Sequence, residues 1–208
     1  IEVPYIFDML QKGLFDLIYH EHLSYFSISS LNRLFKQNNM RIIDLKKINL
    51  GASGPALRII ASKNDSKFKD YFNLNKMIHD EKKRGINKLK TYLNFKKKII
   101  TFKSEFKKLV YSIKNEKNKV ACFTAPAKGN TLLNYLNFKK GTIEFATENN
   151  KKKIGKYLPG THIRILSDEH LLKQKIDYAI LLSWNYKKFF LKNSSFIKKG
   201  GKFLTPFK

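Results

Sequence analysis

Cysteine is nearly absent from this sequence. Cys122 stands alone, so there is no internal disulfide framework, and one thiol cannot build a zinc site, which takes several protein ligands. Long apolar runs are missing too. Nothing approaches the roughly 20 residues that span a bilayer. The opening Ile1-Glu2-Val3-Pro4-Tyr5 lacks both the basic and the apolar stretch of a leader. A soluble, cytoplasmic chain with no membrane partner is the expectation. The chain starts with Ile1 instead of Met, and its first residues read as the end of a buried strand, so it is expected to be a fragment that begins inside a domain.

Acidic residues are scarce: 16 Asp and Glu face 42 Lys and Arg, giving a formal charge of +26. Such a charge can attract nucleic acid through phosphate neutralisation. Arginine, however, is limited to Arg33, Arg41, Arg58, Arg84 and Arg164. It is the guanidinium that reads phosphates and base edges bidentately. Lysine is spread along the whole chain among Asn and Ile and forms no single stripe. This favours a drift of composition over a nucleic-acid surface, and nucleic acid is a disfavoured partner.

A hydrophobic content of 42% in 208 residues is enough for a real core. A short helix is expected from Pro4 to Lys12, ended by Gly13, and a second over Leu31 to Gln37, capped by Ser27, Ser29 or Ser30. Met40 to Leu45 and Ala56 to Ala61 read as strands around the turn-forming Gly51-Ala52-Ser53-Gly54-Pro55. Ser66 to Asn118 is lysine-rich with apolar residues three and four apart, the pattern of one or two long helices. Strands then alternate with helices. Val120–Thr124, Ile143–Ala146, His162–Leu166, Tyr178–Leu182 and Gly201–Leu204 are the strands. Gly129–Leu136, Asp168–Lys173 (capped by Ser167) and Tyr186–Ile197 are the helices. The expected fold class is α/β, with a Rossmann-like parallel sheet covered by helices on both faces.

Three segments could carry chemistry. Tyr19-His20-Glu21-His22 is the densest titratable cluster; a histidine suits proton transfer near neutrality, and an adjacent carboxylate raises its basicity. On an extended segment His20 and His22 would share one face and Glu21 the other. The spacing is not that of a metalloprotease helix, so no metal site is expected; a structural hydrogen-bonded cluster is an equal reading. Ala125 to Thr131 follows a strand and opens a helix, where backbone N–H groups and Lys128 could meet a phosphate, although a plain strand-to-helix turn has the same pattern. Gly155 to His162 reads as a turn at the carboxyl end of the sheet, where open α/β folds bind ligands, and Trp184-Asn185 ends a strand on that edge.

In this order the segments Glu2-Val3-Pro4-Tyr5, Phe15 to Phe26, Ala125 to Tyr135, Gly155 to Ile163 and Leu182-Ser183-Trp184-Asn185 resemble the sugar-nucleotide C-methyltransferase family. The resemblance covers nearly the whole chain. It implies three domains in the complete enzyme: an N-terminal zinc module, a central class I methyltransferase domain that binds S-adenosylmethionine, and a C-terminal Rossmann-like domain. Residues 1–65 would be the end of the central domain with its active-site segment, 66–118 a helical connector and 119–208 the last domain. Zinc would belong only to the N-terminal module. The implied reaction is C-methylation of a nucleotide-linked 4-keto-deoxysugar by proton removal at C3. His22 would be the base, Glu21 its orienting carboxylate and Tyr19 a contact to sugar or enolate. His20, Lys128, Asn130, Tyr157 and His162 would be substrate-binding residues. The chain departs from the family pattern at Leu50 to Arg58, where relatives look like HGGSLR, and at Cys122-Phe123-Thr124, where glycines are usual. A Thr147-Glu148-Asn149-Asn150 strand end replaces an Asp-containing one. A non-catalytic nucleotide-sugar-binding relative is the alternative reading, and a basic nucleic-acid-binding module a more distant one.

Overall fold

The computed structural model describes residues 1–49, 54–69 and 73–207. The chain divides into two compact units, Ile1–Lys98 and Ile99–Lys208.

The first unit opens with β1 (Glu2–Pro4) and α1 (Ile6–Lys12), which stops where Gly13 takes a left-handed φ of 72°. Glycine adopts that conformation at no steric cost. A single 3-10 turn, Phe15–Leu17, follows, and then α2 (Ile28–Gln37). Ser27 caps α2 reciprocally with Ser30: the Ser30 N–H donates to Ser27 Oγ at 3.0 Å and the Ser27 N–H to Ser30 Oγ at 2.9 Å. This places the cap one turn before the expected start at Leu31 and so lengthens the helix. β2 (Met40–Ile48) and β3 (Ala56–Lys63) form an antiparallel pair, with β1 on the far side of β3 in the order β1-β3-β2. In β3 Leu57 and Ile59 point into the core, while Arg58 and Ile60 point out. Residues 51–53 of the expected turn lie outside the described residues. The helical segment is two helices, α3 (Leu74–Lys83) and α4 (Leu89–Asn115), parted at Gly85, φ 82°. Tyr5, Phe7, Ile28, Leu31, Leu57 and Ile59 make the centre of this core, and Met77, Ile78 and Phe95 pack against it.

The second unit holds a five-stranded sheet in the order β6-β5-β4-β7-β8, every neighbouring pair parallel. Its strands are β4 (Val120–Phe123), β5 (Ala146–Thr147), β6 (Ile165–Leu166), β7 (Tyr178–Leu181) and β8 (Lys202–Leu204). Helices α5 (Ala127–Leu136), α6 (His170–Lys173), α7 (Lys187–Asn193) and α8 (Ser195–Lys198) connect them. All four residues of β4 are buried, as a central parallel strand requires. The chain starts in the middle, winds outward through β5 and β6, then returns to the other side of β4 for β7 and β8. That reversal makes a topological switch point between β4 and β7, at whose carboxyl ends an open sheet forms a crevice. The fold is the expected α/β, Rossmann-like one.

Three elements are shorter than the sequence suggests. Residues 143–145 precede β5 without being strand, although Glu144 N–H donates to Val120 O and Cys122 N–H to Phe145 O. The expected strand from His162 shrinks to Ile165–Leu166 because His162 is left-handed at φ 54°. The helix expected from Tyr186 to Ile197 is split by Ser194, which is extended at ψ 126°.

Candidate functional site

In the first unit the segment from Gly13 to Phe26 is held at both ends. Tyr5 and Phe26 form a parallel bridge, and Ile6 N–H donates to Phe26 O at 3.1 Å. Tyr25 OH closes the segment on itself by donating to Leu17 O at 3.2 Å. Immediately beyond it, a carboxylate with almost no solvent exposure gathers the start of α2. Glu81 accepts from Ile28 N–H (2.7 Å), Ser29 N–H (3.0 Å), Ser29 Oγ (2.8 Å) and Tyr5 OH (2.8 Å). It adds a negative charge to the positive end of a helix dipole. Sequence reasoning missed Glu81, because an acid beside Asp80 in a lysine-rich helix gives no sign of being buried.

The Tyr19–His22 cluster is a turn and not the extended segment expected: His22 N–H donates to Tyr19 O at 3.0 Å. The turn changes which groups meet. Tyr19 OH donates to Glu21 Oε2 at 3.1 Å, and the Tyr19 ring stands edge-on to the His22 imidazole with centroids 4.8 Å apart. His20 is exposed, its ring 5.9 Å from that of Tyr19. His22 Nε2 is shut off from bulk solvent and has no hydrogen-bond partner. The residue borders a cavity of about 310 Å³, lined also by Glu2, Val3, Pro4, Leu17 and Pro55. Burial lowers the imidazole pKa below its ordinary value, and the Glu21 charge opposes that by raising it. The imidazole is therefore neutral near pH 7, with a ring nitrogen able to accept a proton.

In the second unit the switch-point crevice is polar. Thr124 Oγ1 and Ser183 Oγ, at the ends of β4 and β7, are 2.7 Å apart. Lys128, in the first turn of α5, is buried; its Nζ donates to Asn185 Oδ1 at 2.7 Å and lies 4.0 Å from the Trp184 ring centroid. Asn130 Oδ1 is shielded from solvent without a hydrogen-bond partner. Lys153 Nζ reaches Ala125 O at 3.0 Å and Glu148 Oε2 at 3.2 Å. Gly129 lets α5 settle on β7's end, since a Cβ there would lie 2.9 Å from Leu182 Cδ1. Lys128 thus meets Asn185 and Trp184 directly, a junction of two separated motifs that only the sheet order reveals.

Tyr157 and His162 lie elsewhere. The sequence pattern puts the turn between them at the carboxyl edge, but it immediately precedes β6 and rests on the second half of α5, where Asn134 Nδ2 donates to Pro159 O at 3.0 Å. A Tyr157–Arg164 antiparallel bridge folds the segment back on itself. This puts the turn against Asn134, one helical turn beyond Asn130, whose O accepts from the same Asn134 amide at 2.8 Å. Along α5 the contact lies roughly 6 Å from Asn130 and roughly 9 Å from Lys128.

Among the described residues no group of three or more His, Cys, Asp or Glu is placed to hold a metal, and no helix is long and apolar enough to cross a membrane. The family model of the C-methyltransferase C-terminal domain matches residues 51–207. C-methyltransferase NovU of Streptomyces niveus is 31% identical over 207 residues, which is 99% of this chain and 49% of NovU. The chain thus spans about half the length of the curated relative it matches.

Proposed function

The chain belongs to the C-methyltransferase family, whose C-terminal domain it contains, and on that premise we propose that it supplies the proton-abstracting base for methylation of a sugar carbon. The observation that carries this reading is His22: a neutral imidazole whose buried, unpartnered Nε2 belongs to a residue bordering a cavity. Forming a C–C bond to a methyl group needs a carbon nucleophile. A C–H beside a ketone provides one when a base near neutrality removes its proton, leaving an enolate. The substrate is then a nucleotide-linked 4-keto-deoxyhexose, deprotonated at C3, as the resemblance of the motifs implies. His22 Nε2 takes the proton. Glu21 favours the imidazolium that forms, and Tyr19, which donates to Glu21, sets the carboxylate beside it and borders the sugar or enolate. His20, exposed on the same turn, is a contact for the substrate.

S-adenosylmethionine supplies an electrophilic methyl group when bound. Among the described residues the first unit has no glycine-rich strand-to-helix turn to cradle it, since β1 passes into α1 through Tyr5 alone. In the second unit taken by itself, Lys128 in the first turn of α5 at the switch-point crevice is the choice for an anionic group, and Asn130 Oδ1, an acceptor with no protein partner, suits a hydroxyl or N–H donor of a ligand. Tyr157 and His162 flank the turn that meets α5 at Asn134, outside the helix's first turn, and are less suited to that ligand.

The test is His22→Ala in the complete protein. Methyl transfer should fall by at least about 100-fold, the usual share of a positioned base, while binding of the nucleotide sugar is retained. Undiminished turnover would remove His22 from the role.

A further inference from the structure

A cavity of about 650 Å³ in the second unit lies at the amino-end side of the sheet and has no part in the reading above. Its floor is apolar, from Leu133, Phe138, Ile143 and Ile163. Its rim carries Lys139, Lys140 and Arg164, and among the described ion pairs none engages these three. The lining carboxylate, Glu144, is neutralised by Lys114 at 2.8 Å. Net positive charge is therefore left at the mouth of an apolar hollow.

The wall is also built on constrained backbone. Asn137 (φ 49°), Gly141 (φ 81°), Gly160 (φ 79°) and His162 (φ 54°) all take left-handed backbone there, two of them without the freedom of glycine. Gly160 lies so close to Asn134 that a Cβ would meet its amide, and that amide is tied to both Asn130 O and Pro159 O. Thr161, another lining residue, has its Oγ1 out of solvent with no hydrogen-bond partner. A cavity of this size with an apolar floor and a few convergent polar groups suits a small ligand.

We propose that this cavity binds a small organic phosphate, its flat apolar body on the Phe138–Ile143 floor and its anion between Arg164 and Lys139. Guanidinium and ammonium groups give charge-assisted hydrogen bonds to phosphate oxygens. The apolar floor adds affinity that an inorganic anion cannot gain. The site is distinct from the crevice around Lys128, and it stands or falls independently of His22's role.

Amide chemical shifts of the protein at its full length, titrated with phenyl phosphate, inorganic phosphate and phenol, test it. Phenyl phosphate should saturate and shift Gly141, Gly160 and Thr161, and bind about tenfold more tightly than inorganic phosphate or phenol. The exposed double variant Arg164→Ala/Lys139→Ala should weaken phenyl phosphate by about tenfold or more. Three outcomes would overturn the proposal: non-saturating shifts spread over the lysines of α4, saturating shifts centred on Thr124 and Ser183, or unchanged affinity in the double variant.

Discussion

Replacing Glu81 with alanine should be among the most damaging single changes in the first unit. The carboxylate is 2% exposed and accepts four hydrogen bonds, from Tyr5 OH, Ile28 N–H, Ser29 N–H and Ser29 Oγ. The bonds from Tyr5 and Ile28 are fully buried, so alanine leaves two donors without partner or water. A buried unsatisfied donor costs about 1–3 kcal/mol, and losing the anion at the start of α2 costs about 0.5–1 kcal/mol more. The part-buried Ser29 groups regain water and add little. These contributions add to about 2.5–7 kcal/mol, and the middle of that range, about 3–5 kcal/mol, is the size seen when one member of a buried polar network is removed. For a chain of this length that lowers the melting temperature by roughly 6–20 °C. Urea denaturation followed by circular dichroism, with amide exchange at Ile28 and Ser29, would measure it; Glu105→Ala, an exposed acid on α4, is the control and should change stability by less than about 0.5 kcal/mol. A Glu81→Ala loss below about 1 kcal/mol, with Ile28 still protected from exchange, would refute the reasoning.

Further outcomes are expected. Burial lowers the His22 pKa and Glu21 raises it again, so the acid limb of the rate profile should lie below the ordinary histidine value of about 6.5. Glu21→Gln should move that limb to still lower pH; a move upward would mean that Glu21 does not act on His22. The same depressed pKa makes a stability contribution that is present above about pH 6.5 and lost as pH falls through the folded value. At the alkaline end, burial raises the pKa of Cys122, and burial followed by the Glu81 charge raises that of Tyr5. Their contributions are full below the unfolded values, about 8.5 and 10, and are lost as pH rises beyond them; a urea midpoint unchanged between pH 7 and pH 11 would contradict this. Cys122, wholly buried, should also resist alkylation until the chain unfolds. Gly129→Ala brings a methyl within 2.9 Å of Leu182 Cδ1, and with Leu182 fully buried the overpacking should cost about 1–3 kcal/mol in denaturant unfolding. No loss would show that the packing of α5 on the end of β7 is loose.

The sequence exposes elements whose signals are local. The Ser27 cap, the Gly13 stop and the buried run Val120–Phe123 are each written in a few neighbouring residues, and the structure places them within a turn of expectation. Boundaries failed where a single backbone angle decides. His162 is left-handed and Ser194 extended, and neither residue type announces that. The candidate base was legible as a cluster of types, but its geometry was not: the extended reading put Glu21 away from the histidines, whereas the turn joins Glu21 to Tyr19 and sets Tyr19 against His22. Glu81, the Lys128–Asn185 bond and the Thr124–Ser183 contact depend on long-range pairing between residues more than 50 positions apart, which no periodicity encodes.

The most direct measurement is solvent exchange at the ketone-adjacent carbon. The complete protein, given a nucleotide-linked 4-keto-deoxyhexose in deuterium oxide, should wash deuterium into C3, and His22→Gln should slow that exchange by at least about 100-fold while leaving substrate affinity within about threefold. Exchange at the parental rate in His22→Gln would contradict the assignment of His22 as the base.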